Sequence, residues 1–211
     1  MVTAAGVLSA AMVVPDVAHA AEPAERIPLR EAVARLVVAD EQRDGYDRDL
    51  FKHWVDADHD GCHTRAEVLL VESVEAPETV GRCTLVGGRW HSYYDDVEVD
   101  NARGLDIDHM VPLAEAWDSG AFGWTTQRRQ DYANDLDEPA ALVAVTARSN
   151  RSKADQDPST WLPPHDPAVC RYITDWVTVK IRWALAVDPV EHEVLDAEAA
   201  RCPDLVVVEP A

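Results

Sequence analysis

Two groups of residues have types and spacings suited to chemistry on a charged substrate. The first begins at Asp106-Ile107-Asp108-His109 and resumes far along the chain at Asn150-Arg151-Ser152-Lys153. Carboxylate and amide oxygens are ligands that a hard divalent cation prefers. An imidazole, with an ordinary pKa near ~6.5, can take a proton at neutral pH. Asn150 and Lys153 lie one helical turn apart and so share a face of any helix they occupy. Arg148, Arg151 and Lys153 put positive charge on that helix, suited to holding phosphate.

The second group runs Asp56-Ala57-Asp58-His59-Asp60-Gly61-Cys62-His63-Thr64-Arg65-Ala66-Glu67, an ungapped D-x-D-x-D-G-x5-E pattern. Alternate carboxylates at Asp56, Asp58 and Asp60 turn inward, Gly61 permits the sharp turn, Cys62 offers its carbonyl and Glu67 closes the shell with two oxygens. That is the oxygen cage of a calcium loop. The motif occurs once, and His63 stands where an apolar residue is usual, so the expectation is a structural calcium site and not a switch. The plainer alternative is an acidic loop that binds nothing. A zinc site through His59, Cys62 and His63 lacks a second ligand pair.

These residues need elements to position them. Apolar periodicity predicts helices over Leu29–Ala39, Asp47–Val55, Thr64–Val71, Pro112–Ser119, Thr125–Leu136 and Val169–Val187, and a last one from Asp188-Pro189 to Arg201. Strand-like runs at Cys83–Val86 and Arg89–Tyr94 flank Gly87-Gly88, a hairpin signal. Leu105–His109 and Leu142–Val145 are further strand candidates. The sum is α+β with helices in the majority. Trp176 and Trp183 are expected in the core, and hairpin packing is the default for Trp90, Tyr93 and Tyr94.

The first twenty residues carry a single charge, Asp16, and end in Ala18-His19-Ala20, which fits a signal-peptide cleavage site. The basic start of such a peptide is missing, so the true start is expected upstream of Met1. Residues 1–20 are read as the signal peptide and 21–45 as a lead-in and helix. Residues 46–205 are read as the functional domain and 206–211 as a tail. Cys62, Cys83, Cys170 and Cys202 form an even set without a CxxC pair, as expected of disulfides in an exported protein. Four cysteines allow three pairings; chain proximity favours Cys62–Cys83 with Cys170–Cys202. No apolar run is long enough to span a bilayer, so no membrane partner is expected, and a monomer is.

The chain has 211 residues and a formal net charge of −20. Such acidity argues against a polyanion binder held by charge alone. The segment Arg128–Arg182, however, holds eight basic and eight acidic residues, so a polyanion can approach the Asn150 region while the remainder repels it. Binding of that kind is expected to be weak and to fall steeply with salt.

The Asp-His pair and the Asn-x-x-Lys, each after a strand, resemble the HNH nucleases, also called ββα-metal or His-Me finger nucleases. Within them the chain is similar to secreted bacterial proteins related to the C-terminal domain of GmrSD-type restriction enzymes. Further points of likeness are Trp117-Asp118-Ser119-Gly120, Tyr132-Ala133-Asn134-Asp135-Leu136, Trp161-Leu162-Pro163-Pro164, Cys170-Arg171-Tyr172 and Val179-Lys180-Ile181-Arg182-Trp183. The span is about Asp56 to Cys202. The resemblance implies a ββα-metal finger embedded in a mainly helical domain, with His109 as general base and Asp108 and Asn150 as ligands of Mg²⁺ or Mn²⁺. Asp106 would be a further ligand or an acceptor behind the first. The substrate would be DNA, with RNA as a second candidate, cut with little sequence preference. Ala141 stands where many relatives have an Asn that orients the base, so a backbone carbonyl or Asn134 must take over that task. The rival reading is a non-catalytic extracellular calcium-binding protein with a decayed HNH fold.

Overall fold

The chain alternates short helices with short strands in the computed structural model, which describes Met1, residues 25–202 and residues 206–209. Strand β1 (Glu25–Pro28) leads into α1 (Leu29–Arg35), and a 3-10 turn at Arg48–Leu50 precedes α2 (Thr64–Val71). Strands β2 (Glu78–Val80), β3 (Thr84–Val86), β4 (Trp90–Ser92), β5 (Val97–Val99) and β6 (Leu105–His109) follow. Then come α3 (Leu113–Asp118), α4 (Thr126–Ala133), β7 (Leu142–Thr146) and α5 (Ala147–Lys153). The chain closes with α6 (Val169–Trp183), α7 (Pro189–Arg201) and β8 (Val206–Glu209). The described strands form antiparallel pairs β1–β8, β2–β3, β4–β5 and β6–β7, so the fold is α+β, as expected. Apart from Met1, the expected signal peptide lies outside the described residues.

Helix α6 is the spine of the core. Its residues Tyr172, Ile173, Trp176 and Val177 are all buried, and Ala184, in the left-handed conformation at φ 52°, ends it. On the same helix the fully buried Lys180 donates to Glu115 at 2.7 Å, to the Ser119 hydroxyl at 2.7 Å and to Glu191 at 3.0 Å, which knits α3 and α7 onto α6. The cap expected for α7 is present: the Asp188 carboxylate accepts from the Val190 and Glu191 N–H groups, and Pro189 occupies the first turn. The first and last described strands pair with each other, so the lead-in and the tail are joined to one unit. Among the described residues no helix is long and apolar enough to cross a membrane.

Two expectations fail. The stretch Asp47–Val55 is not a helix: only Arg48–Leu50 is helical, as a 3-10 turn. Long-range bonds hold the remainder of the stretch, for Trp54 lies at φ 60° and Val55 is tied through its N–H to Asn134 and through its carbonyl to the Thr64 N–H. The Asp56–Glu67 loop therefore leads into a helix, α2, without leaving one. Gly87-Gly88 does turn the chain, with φ of 68° and 85°, but β3 and β4 do not pair across it. Trp90 is fully buried and its indole N–H reaches the Leu69 carbonyl at 2.7 Å, which carries β4 inward, while Val86 of β3 stays exposed. Each strand finds its partner on the other side, β2 for β3 and β5 for β4.

Candidate active site

Strands β6 and β7 pair with Asp106 opposite Val145 and Asp108 opposite Val143. Side chains alternate along a strand, so Asp106 and Asp108 share one face and His109 starts from the other. Helix α5 springs from the end of β7, capped by Thr146, whose hydroxyl oxygen accepts from the Ser149 N–H and which donates to Asp95 at 2.6 Å. This return lays the face of Asn150 and Lys153 on β6. The Asn150 amide donates to Asp106 Oδ2 at 3.3 Å; Lys153 Nζ donates to Asp108 Oδ2 at 2.7 Å and to the His109 carbonyl at 3.0 Å. Tyr94 adds a second bond to the Asp108 carboxylate, its hydroxyl donating to Oδ2 at 2.6 Å. Both of these bonds to the Asp108 carboxylate end on Oδ2. Among the described residues, Oδ1 of Asp108 and Oδ1 of Asn150 accept none. A cleft of about 450 Å³ is lined by Asp108, His109, Asn150 and Arg151, together with Tyr46 and Arg48.

The state of His109 is set by its surroundings. Its Nε2 lies 3.0 Å from the Ala133 carbonyl. A carbonyl only accepts, so Nε2 carries the proton and Nδ1 keeps the lone pair. The ring is enclosed by Trp54 at 5.6 Å, His53 at 6.3 Å and Tyr132 at 6.4 Å between centroids. Burial pushes its pKa down to about 3, against the bond to Ala133, and the charges of Arg48, His53 and Lys153 push the same way. The imidazole is therefore neutral at pH 7. The Ala133 carbonyl orients the ring, a task that Ala141 cannot perform. Asn134, the other candidate for that task, bonds elsewhere.

Burial also shapes the Asp108–Lys153 pair. It raises the Asp108 carboxyl and lowers the Lys153 ammonium, and in each case the partner's charge opposes the shift. Lys153 is fully buried, so the expectation that it holds substrate phosphate fails: the helix face is right, but the depth is wrong. Arg148 is exposed but lines a separate cleft with Asp95 and Trp161. Arg151, also exposed, lies 3.4 Å from Asp106 and lines the His109 cleft. The sequence gives no signal for Arg48, which looks like one more polar position of a predicted helix, or for Tyr94, which looks like packing in a hairpin.

In the Asp56–Glu67 loop the carboxylates hold their own turn. Asp56 Oδ2 accepts from the Gly61 N–H at 3.1 Å, Asp58 from Asp60 at 3.3 Å and Asp60 from Cys62 at 2.6 Å. Gly61 has φ 101°, and a Cβ there would meet the Arg82 carbonyl at 2.9 Å, so the position takes glycine alone. Oxygens of Asp56, Asp58 and Asp60 lie within 4.8 Å of one another, and Asp60 and Glu67 approach as closely. The Cys62 sulfur lies near these two but is spent in a disulfide to Cys83 and offers no thiolate. Asp56 Oδ1 is buried and has no hydrogen-bond partner among the described residues. Burial raises the Glu67 carboxyl, and the negative charges of Asp60, Asp58 and Asp56 raise it further. A convergent set of hard oxygens with one buried acceptor unsatisfied fits a hard cation.

The family profile described as "GmrSD restriction endonucleases, C-terminal domain" matches residues 71–195. The match includes the β6, β7 and α5 residues and begins beyond the Asp56–Glu67 loop, so it is narrower than the likeness read from sequence. An "Uncharacterized secreted protein" of Arthroderma benhamiae is 41% identical over 160 residues, covering 76% of this chain and 77% of the relative. No solved structure matches.

Proposed function

The chain belongs to the family of GmrSD restriction endonuclease C-terminal domains, and from that premise we propose that it is an extracellular, metal-dependent nuclease. It would hydrolyse phosphodiester bonds of DNA, with RNA as second candidate, at the cleft beside His109. One observation carries the reading most: an imidazole whose Nε2–H is locked on the Ala133 carbonyl shares a cleft with two oxygens, on Asp108 and Asn150, that no donor among the described residues uses. That donor set, one carboxylate and one amide oxygen with room for water, fits Mg²⁺ or Mn²⁺. Such an ion supplies neutralisation of charge on the phosphate and the leaving 3′-oxygen.

The chain's own residues do the rest. His109 Nδ1 accepts the proton of the attacking water, and the Ala133 carbonyl keeps the resulting imidazolium oriented through its bond to Nε2–H. Tyr94 and Lys153 hold Asp108 by one oxygen and leave the other for the cation. Arg48 and Arg151 line the same cleft and are exposed, positioned to hold the flanking phosphates. In the Asp56–Glu67 loop, Asp56, Asp58, Asp60, Glu67 and the Cys62 carbonyl would hold Ca²⁺, a reading supported by the unsatisfied Asp56 oxygen. The protein works in an oxidising compartment: the described residues contain two disulfides and no free cysteine, and the relative is named as secreted.

The test uses supercoiled plasmid with Mg²⁺, Mn²⁺ or Ca²⁺, each with and without chelator. Wild type should nick and degrade it with Mg²⁺ or Mn²⁺, and His109→Ala should lose about 10²- to 10⁴-fold in rate. Because His109 is already neutral, the rate should not fall on its account between pH 7 and pH 5. Cleavage retained by His109→Ala would defeat the general-base role; no cleavage by wild type in any metal would favour the non-catalytic calcium-binding reading.

A further inference from the structure

The calcium loop and His109 meet at Asn134. Its Oδ1 accepts from the Val55 N–H at 3.0 Å and from the Thr64 hydroxyl at 2.7 Å, and its Nδ2 donates to the Lys52 carbonyl at 2.8 Å and the Gln130 carbonyl at 2.7 Å. Every bond its amide can make is in use, apart from further weak acceptance at Oδ1, so the side chain cannot move without losing one. Val55 and Thr64 are the two ends of the loop's neck, joined to each other by the Thr64 N–H to Val55 carbonyl bond at 2.9 Å. The residue before Asn134 is Ala133, whose carbonyl fixes the His109 ring. A second contact runs in parallel: Trp54, two positions before Asp56, is held at φ 60°, a strained region for a bulky side chain, with its ring 5.6 Å from His109.

We propose that the Asp56–Glu67 loop regulates the His109 site, with Asn134 as the positioning residue that couples them. A divalent cation gathered by Asp56, Asp58, Asp60 and Glu67 relieves the repulsion among those carboxylates and fixes the neck at Val55 and Thr64. The neck fixes Asn134, Asn134 fixes the Ala133 peptide, and the Ala133 carbonyl sets the angle of the imidazole. Trp54 moves with the same neck and closes over the ring. The loop is then more than a staple: its occupancy selects the arrangement in which Nδ1 addresses the cleft. The proposal rests on the calcium reading of the loop and on the general-base reading of His109. Linkage makes it reciprocal, so whatever holds His109 in place also tightens the cation in the loop.

The test tracks the His109 Nε2–H signal by ¹⁵N-histidine NMR in the full chain, assigned with His109→Gln, while Ca²⁺ alone is added without Mg²⁺ or DNA. In wild type, calcium should raise Tm and shift the His109 signal. In Asn134→Ala, calcium should still raise Tm while the His109 signal no longer responds. In cleavage assays at fixed saturating Mg²⁺, calcium should raise wild-type kcat by about 5- to 100-fold with KM unchanged, and this gain should vanish in Asn134→Ala and in Asp58→Ala. Should Asn134→Ala not fold, the wild-type NMR comparison decides alone. A wild type whose Tm rises with calcium but whose His109 signal stays still overturns the coupling and leaves the calcium reading intact. No rise in Tm overturns both. A His109 signal that responds in a protein without nuclease activity supports the coupling and removes the general-base reading instead. A calcium gain in kcat retained by Asp58→Ala belongs to another site and overturns the proposal.

Discussion

At Lys153 the ammonium is wholly buried and spends its bonds on Asp108 and on the His109 carbonyl. It therefore holds the candidate ligand by its side chain and the candidate base by its main chain, without reaching a phosphate. Removing one partner of a buried ion pair leaves the other charge uncompensated, at a cost of about 3–5 kcal/mol. Lys153→Met should lower the unfolding free energy by that amount in urea titrations at pH 7. A loss under about 1 kcal/mol would mean that Asp108 takes up a proton at little cost. The identities of Asp108, His109 and Asn150 as one group were legible in sequence, because residue type and resemblance pointed the same way. The role of Lys153 was not, because helical spacing tells which face a residue occupies and says nothing of what covers that face. Tyr94 was hidden for a related reason: a tyrosine's hydroxyl partner lies on another strand, out of reach of any local pattern.

At the scale of elements, β7 is held along its other edge, away from β6, by side chains. The Ala144 N–H donates to Glu72 at 2.8 Å and the Thr146 N–H to the Ser92 hydroxyl at 3.0 Å. Glu72 ends α2, so this bond fastens the helix that leaves the Asp56–Glu67 loop to the sheet that carries Asp108. Burial raises the Glu72 carboxyl to about 7, partly offset by the Ala144 bond and the Arg171 charge. A carboxyl raised in the folded state contributes its stability below its unfolded value of about 4.5 and loses it as pH rises through 7, a change of the order of 3 kcal/mol. Glu72→Gln should remove that part of the slope, so the variant gains on wild type in Tm between pH 5 and pH 7.5. A difference in Tm that stays constant over this range would show that Glu72 is ionised throughout. The helices α2 and α6 were readable from their periodicity, and α7 from its Asp188-Pro189 start. The segment Asp47–Val55 was not, since its apolar residues are spaced for a helix while Asn134 and Thr64, distant in sequence, bind its backbone more strongly than its own turns would.

Over the whole molecule, the disulfides Cys62–Cys83 and Cys170–Cys202 are the pairs that chain proximity favoured. The first ties the Asp-rich loop to the β2–β3 turn; the second ties the start of α6 to the end of α7. Each closes a modest loop, worth about 3 kcal/mol in the chain-entropy account. Reductant should therefore lower the unfolding free energy by about 3 kcal/mol per bridge, and Cys170→Ala/Cys202→Ala should reproduce half of the loss. Insensitivity to reductant in urea unfolding would show that the core alone holds α7. Residue types at short, regular spacing were enough to specify the fold class, the two strands Leu105–His109 and Leu142–Thr146 and the order of carboxylates in the acidic loop, while the helix that carries Asn150 came from the family resemblance. It took the folded chain to establish which of these groups stay in reach of solvent, which oxygen of Asp108 remains free, and that the Ala133 carbonyl sets the tautomer of His109. Those depend on burial and on bonds between residues remote in sequence, and neither leaves a local periodicity to read.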